Sequence, residues 1–146
     1  MSLNLMKAAG LALTAVLLAT ESVFAGPPPL PFSPYGTVKV NNINVPNWVV
    51  ISAQCGGKTV RLTTTVVSGG ESWYFNLDIP GDDADTPGVK EGCTSNETVT
   101  FKIGDLTASQ AAPWVPGGTS RINITATGAM PTPSRTPTTY LPLLLR

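Results

Sequence analysis

Histidine is absent from this sequence, and its absence excludes several kinds of chemistry. None of the 146 residues is a histidine, so Ser-His-Asp and Cys-His catalysis, histidine-ligated zinc and a histidine-based pH switch lack their central residue. Charge is also scarce, because 9 Lys and Arg balance 9 Asp and Glu and charged residues make up 12% of the chain. A protein that binds nucleic acid needs a basic surface. We therefore expect a protein that is not an enzyme and does not bind nucleic acid.

Hydrophobic runs long enough to cross a membrane are missing too. The apolar run Ala8–Ala19 is shorter than the roughly 20 residues that a bilayer-spanning helix needs. A lysine precedes it, and Val23 and Ala25 stand at the −3 and −1 positions of a signal-peptidase site. This arrangement predicts a secretory signal over 1–25, and so a secreted, cell-surface protein without a transmembrane segment in its mature chain. The alternative is a pilin leader cleaved after Gly10, which the Pro-rich segment that follows disfavours.

The body of the chain shows the two-residue period of β-strands with one buried face. Glycine and proline, 14 of each, separate the alternating segments. The alternation places two sets of residues on buried faces: Val60, Leu62, Thr64 and Val66, and then Trp73, Phe75, Leu77 and Ile79. Their neighbours Thr65 and Tyr74 are expected to face water. Six or seven such strands predict an all-β fold, a β-sandwich of two packed sheets.

The segment that opens this body resembles the transthyretin-like, or carboxypeptidase-regulatory-like, Greek-key modules. The matching positions are Gly36, Val38, Val40, Asn41, Val45, Pro46, Val50 and Ala53. The resemblance implies a Greek-key β-sandwich of the immunoglobulin/transthyretin-like kind, a non-catalytic unit used as a spacer, adhesive unit or assembly subunit. The resulting division of the chain is a signal peptide 1–25, a Pro-rich extended arm 26–34, a β-sandwich 35–128, and a Pro/Thr linker with an apolar tail 129–146.

The C-terminal tail carries a second resemblance. Thr-Pro repeats are followed by YLPLLLR, which begins at Tyr140. This ending resembles a C-terminal signature of secreted proteins of filamentous bacteria. The resemblance implies sorting to the cell surface or anchoring there.

Cysteine is limited to Cys55 and Cys93. An exported protein enters an oxidising compartment, where an even number of cysteines usually means disulfide bonds. We expect these two residues to be bonded to each other.

One long acidic loop, from Gly81 to Asn96, offers a candidate metal site. Asp82, Asp83 and Asp85 supply the oxygen ligands that calcium prefers. The loop lacks the spacing of an EF-hand, and the alternative is a solvated acidic turn.

Asn96, in the pattern Asn-Glu-Thr, is a candidate glycosylation site. No other cofactor is expected.

Aromatic residues suggest a carbohydrate-binding platform, since exposed rings stack on sugars. The candidates are Trp48, Trp73, Trp114, Tyr35, Tyr74 and Tyr140. The alternation assigns Trp73 to the core, and core or rim packing is the preferred interpretation for the others.

The Pro-rich arm 26–34 is a candidate assembly element. Its prolines disfavour a central strand but permit an edge contact, in which Leu30 and Phe32 would fill apolar pockets of a neighbouring molecule. A disordered spacer is the equal alternative. These features together predict a non-catalytic structural or adhesive protein that associates with itself, in a filament or surface layer, or with cell-surface components. The alternative function is a calcium- or carbohydrate-binding accessory module.

Overall fold

The computed structural model describes residues 28–134, and within that range every regular element is a strand. There are ten: β1 Ser33–Val40, β2 Ile43–Asn44, β3 Val50–Cys55, β4 Lys58–Thr64, β5 Val66–Ser68, β6 Glu71–Tyr74, β7 Thr98–Ile103, β8 Leu106–Pro113, β9 Thr119–Arg121 and β10 Ile124–Ala126. The predicted signal peptide and the tail from residue 135 lie outside the described residues.

The strands form two sheets that enclose one core. The first sheet has the order β10-β1-β6-β5, with β2 and β9 also paired to β1, and the second has the order β4-β3-β7-β8. Most neighbours are antiparallel, but β9 and β10 run parallel to β1. The all-β sandwich predicted from the sequence is confirmed, whereas the Greek-key assignment stays a prediction.

There are more strands than the six or seven expected because interruptions of one or two residues divide longer extended segments into separate strands. Only Ile122 and Asn123 separate β9 from β10, and both short strands lie along β1. Thr65 alone separates β4 from β5, which belong to different sheets. Short interruptions of this kind do not break a hydrophobic alternation and so cannot be seen in the sequence.

The core lies between the two sheets. Its buried side chains include Val38, Val40, Ile51, Ala53, Tyr74, Leu77, Ile79, Val99, Phe101, Ile103, Trp114 and Ile124.

The predicted turns are also in place. Asn41 and Asn42 both have positive φ angles, 51° and 64°, as a tight hairpin between β1 and β2 requires. The glycine pairs after β3 and β5 turn the chain in the same left-handed region.

The predicted orientation of β4 is wrong, and a β-bulge is the reason. Ala53 pairs with Arg61 but Gln54 pairs with Thr59, so Val60 has no partner on β3. An extra residue reverses which face each following side chain takes. Val60 still packs against the core, but Leu62 is 58% exposed and Thr65 is fully buried.

The predicted orientation of β6 is wrong as well. Asn76 adopts a left-handed conformation with φ of 57°, which resets the alternation between Phe75 and Leu77. Before this point the faces are the reverse of those expected: Tyr74 is fully buried, Trp73 is half-buried and Phe75 is 45% exposed. After Asn76 the expectation holds. Two aromatic rings assigned to the core therefore lie on the outer surface of the first sheet.

Side chains cover two of the sheet edges. Gln110 on β8 accepts a hydrogen bond from the Thr125 backbone N–H of β10 (2.6 Å) and donates one to the Thr125 hydroxyl (3.0 Å). Asn47 accepts one from the Val67 backbone N–H of β5 (2.5 Å). Bonds of this kind occupy edge donors that could otherwise pair with another chain. On the second sheet, β4 is the outermost strand next to β3.

Thr65 holds together the two places where the chain passes between the sheets. Its hydroxyl donates to the Pro46 carbonyl (2.7 Å) and accepts from the Val49 N–H (3.0 Å). Its backbone N–H donates to the Val49 carbonyl, and its carbonyl accepts from the Trp48 N–H, both at 2.9 Å. Pro46, Trp48 and Val49 lie in the segment that leads from β2 in the first sheet to β3 in the second. One buried residue thus binds both crossings.

The variant Thr65→Val tests this arrangement. Valine has nearly the same shape but leaves the Pro46 carbonyl and the Val49 N–H without their partner, so we expect the free energy of unfolding to fall by about 2 kcal/mol. Thr64→Val, one residue earlier and half-buried, is the matched control and should change little. Chemical denaturation measures both variants. Equal losses in the two would contradict the assigned role of the hydroxyl.

Candidate functional site

The long loop between β6 and β7 is fastened by the disulfide that the sequence predicted. Cys55 ends β3, Cys93 lies in the loop, and their Cα atoms are 5.5 Å apart. Both cysteines are fully buried. Gly81 also forms a β-bridge with Cys93, which brings the two ends of the acidic stretch together. The bond therefore joins the loop to β3, one of the two inner strands of the second sheet.

The three aspartates proposed as calcium ligands do different things. Asp82 accepts hydrogen bonds from the backbone N–H groups of Glu91 (2.8 Å) and Gly92 (3.3 Å). Asp83 accepts one from the Asp85 N–H at 2.9 Å, a local turn in which an aspartate bonds the backbone two residues on. Within residues 28–134 no group of three or more Asp, Glu, Cys or His side chains is placed to hold a metal ion. The geometry is that of a hydrogen-bonded turn.

Lys90 is the cation that balances this loop. Its Nζ lies 2.6 Å from the Glu97 carboxylate and 3.7 Å from that of Asp82. The hydrogen bond from Lys90, with further ones from Thr94, lowers the pKa of Glu97. The pKa of Asp82 is lowered too, first by the Glu91 N–H and then by the Gly92 N–H and Lys90. Both carboxylates therefore favour the folded loop in their ionised form.

The segment predicted to be an assembly arm packs against its own domain where it is described. Phe32 is only 2% exposed and exchanges two backbone hydrogen bonds with Ile79, of 3.0 and 2.8 Å. The Leu30 carbonyl accepts a bond from the Gly117 N–H (3.1 Å), while the Leu30 side chain stays 70% exposed. In this structure Phe32 occupies the core of its own chain, and its role as an anchor in a neighbouring molecule stays a prediction. Its ring packs within the core of its own chain. This contact does not cost the translational and rotational entropy that binding to a neighbouring molecule would cost.

The three tryptophans occupy three different environments. Trp114 is 1% exposed and its indole N–H donates to the Ile79 carbonyl (2.9 Å), so the core assignment is confirmed for this residue. Trp48 is 36% exposed at the crossing from β2 to β3. Trp73, which the alternation assigned to the core, is half-buried on the outside of the first sheet. Of the three, Trp73 is the one that lies among other exposed rings.

We name the outer surface around Trp73 the aromatic face and define it by Tyr35, Trp73, Phe75 and Arg121. Tyr35 is 41% and Phe75 45% exposed. Tyr35 pairs directly with Arg121 across β1 and β9, and the Arg121 guanidinium lies over the Trp73 ring, 5.2 Å from its centroid. With Val66 and Ser68, the three rings line an open depression of about 340 Å³. This volume is at the lower end of the range for small-molecule sites, roughly 300–1,000 Å³.

Buried contacts hold the segment that carries Arg121. The Ile122 N–H donates to the Tyr35 carbonyl (2.7 Å), and the Ile122 carbonyl accepts from the Tyr74 hydroxyl (2.8 Å). Burial raises the pKa of Tyr74 far above its ordinary value, which keeps the hydroxyl protonated as a donor. Gly36 permits the close approach, because a Cβ there would overlap the Ile122 carbonyl.

The charges on this surface are arranged unevenly. Lys39 and Glu71 form an exposed ion pair at 3.9 Å, and Asp78 accepts a hydrogen bond from the Ser33 hydroxyl at 2.6 Å. Arg121 has no carboxylate within ion-pair distance among the residues that the structure describes. Its contact with Trp73 is a cation–π contact, which uses none of the guanidinium N–H groups as a hydrogen-bond donor to a carboxylate.

Sequence reasoning missed Phe75 and Arg121 as surface residues. The one signal in the sequence was Asn76, since asparagine tolerates the left-handed conformation better than most residues. Arg121 had no local signal, because its position over Trp73 depends on the parallel pairing of β9 with β1.

Asn96 lies exposed, with φ of 62°, in the loop where the sequence placed it. Its glycosylation stays a prediction.

Removing the disulfide should destabilise the domain strongly. The bond closes a loop of 38 residues, for which the chain-entropy model gives up to about 4 kcal/mol of stabilisation. We expect the variant Cys55→Ala/Cys93→Ala to lose about that much in urea denaturation. Non-reducing peptide mapping of the native protein is the companion measurement, and two alkylatable thiols would contradict the bond.

The loop carboxylates should make stability depend on pH in the acid range. A carboxylate with a lowered pKa in the fold stabilises it above the unfolded pKa, and this contribution is lost as pH falls through the folded pKa. The melting temperature should therefore fall as pH drops below the ordinary glutamate value of 4.5. Glu97→Gln should flatten this dependence, whereas Glu71→Gln, with its longer and exposed ion pair, should not. Parallel pH profiles for the two variants would contradict the role of Glu97.

Comparison with known proteins supplies no relative for this chain. No protein-family model, curated protein or solved structure matches it. The transthyretin-like resemblance and that of the C-terminal tail therefore stay predictions. No helix within residues 28–134 is long and apolar enough to cross a membrane.

Proposed function

We propose that this chain is a non-catalytic extracellular adhesive module that contacts its target through the aromatic face. The observation that carries the proposal is the exposure of Tyr35 and Phe75 beside Trp73 and Arg121, on the outside of a sheet rather than in its core. Tyrosine, tryptophan and arginine are the residue types that contribute most to binding at protein surfaces. The leader and the cysteine pair support an extracellular location.

The frame behind this face suits an adhesive role. The sheet that carries the face packs on a second sheet through a continuous core, and the disulfide fastens the long loop that leads from β6 in the first sheet to β7 in the second. A binding surface on strands keeps its geometry better than one on loops. The face therefore requires little rearrangement before it binds.

Self-association is a second candidate, and β4 is the observation that favours it. This strand is one of the two edges of the second sheet and presents Leu62 at 58% exposure. Asn47 covers the edge of β5, and Gln110 links β8, the other edge of the second sheet, to β10, which leaves β4 as the more accessible edge. Its bulge and the cations Lys58 and Arg61 work against pairing with a second copy.

Two variants separate these candidates. Tyr35→Ser/Phe75→Ser removes the exposed rings of the aromatic face, and Leu62→Ser is the matched change on the opposite sheet. We expect the double variant to lose retention on a panel of insoluble cellulose, chitin and peptidoglycan, because the rings supply the contact area, while Leu62→Ser is retained like the unmodified protein. Circular dichroism and melting curves check that both variants fold.

Sedimentation velocity of the same proteins tests self-association. If Leu62→Ser dissociates an oligomer that the double variant preserves, the β4 edge is the functional surface and the proposal is wrong. A double variant retained as well as the unmodified protein would also overturn it.

A further inference from the structure

We propose that the ligand of the aromatic face is an acidic carbohydrate, in which the rings stack on sugar faces and Arg121 binds a carboxylate of the sugar. This inference rests on the proposed adhesive function and names the class of its ligand. The observation that carries it is the juxtaposition of two exposed rings with an arginine that has no acidic partner among the described residues.

The rings suit the apolar faces of a sugar. Tyr35 and Phe75 are each more than two-fifths exposed. In the pairing of β1 with β6, Gly36 lies opposite Tyr74 and Thr37 lies opposite Trp73. Extending that antiparallel register by one step puts Tyr35 opposite Phe75, on the same face of the sheet. The depression that they line with Trp73 is open, as the side of a polymer requires, and Ser68 adds a hydroxyl at its edge.

Arg121 suits a carboxylate. A guanidinium offers planar, paired N–H donors that match the two oxygens of a carboxylate. The contact with Trp73 restrains the position of this group, and the bonds of Ile122 to Tyr35 and Tyr74 hold the backbone beside it. Glu71, on the same side of β6 as Trp73, is paired with Lys39, and Asp78 accepts a hydrogen bond from Ser33. A ligand carboxylate is thus the group that would complete the site.

The other occupants of such a face fit these observations less well. A second copy of the chain that docked face to face would have to bring an acid to Arg121, and Glu71, the acid on the same side of β6 as Trp73, is already paired with Lys39. A neutral sugar would use the rings but leave Arg121 unused. An acidic sugar would contact both the rings and Arg121.

The test uses one polymer in two charge states. Polygalacturonate and its fully methyl-esterified form share a backbone and differ only in whether the carboxylate is free. Titration calorimetry with soluble oligomers of each, in the presence of a chelator, therefore measures how much the carboxylate charge contributes to binding. We expect Arg121→Gln to weaken binding of the acidic form by about tenfold or more, as loss of a paired charged hydrogen bond implies, and to leave the ester unchanged. Tyr35→Ser and Phe75→Ser should weaken binding of both.

Arg61→Gln is the matched control. Arg61 is an exposed cation on β4 of the other sheet, so its loss removes the same charge but takes no residue from the aromatic face. If Arg61→Gln weakens polygalacturonate binding as much as Arg121→Gln, the attraction is a non-specific charge effect and the inference is wrong. Failure of polygalacturonate to bind, while the Tyr35/Phe75 double variant still loses retention on the insoluble panel, overturns the acidic-sugar ligand and leaves the adhesive function standing.

Discussion

The pairing of two chain crossings through Thr65 is the constraint on which the rest of this sandwich depends. A sandwich needs its chain to pass from one sheet to the other, and each passage removes backbone groups from the ladders of both sheets. Here the segment from β2 to β3 and the single residue between β4 and β5 cross side by side, and Thr65 satisfies the polar groups of both. A buried threonine is costly unless its hydroxyl is bonded. Its position therefore determines where β5 begins, and β5 pairs Val66 with Trp73 on the outer side of the first sheet.

Much of the fold followed from local chemistry in the sequence. Asn41-Asn42 and the glycine pairs are residues that tolerate positive φ, so the turns were predictable. The disulfide followed from an even number of cysteines in an exported chain. Features of this kind depend on a residue and its immediate neighbours. A single sequence carries that information in full.

The features that the sequence did not reveal depend on partners far along the chain. The bulge at Val60 exists because β3 and β4 pair out of step at Ala53, and nothing in the order Lys-Thr-Val-Arg-Leu-Thr distinguishes a bulged strand from a regular one. Asn76 resembled an outward residue of a continuous strand, but its left-handed conformation reverses the faces on either side. Tyr74 then enters the core, and its hydroxyl reaches the Ile122 carbonyl in place of water. One residue in an unusual conformation therefore changed which rings are buried.

That reversal explains why the candidate binding surface lies next to buried residues of the core. Trp73 and Phe75 flank the buried Tyr74, so each of these two rings is one peptide away from a core residue. Gly36 lets β1 approach Ile122 closely enough for the segment with Arg121 to be bonded from both sides. Ordering exposed side chains on binding costs roughly 0.5–1.5 kcal/mol for each one immobilised. The contact of Arg121 with Trp73 meets part of that cost during folding, and a ligand that reaches this surface gains correspondingly more from each contact.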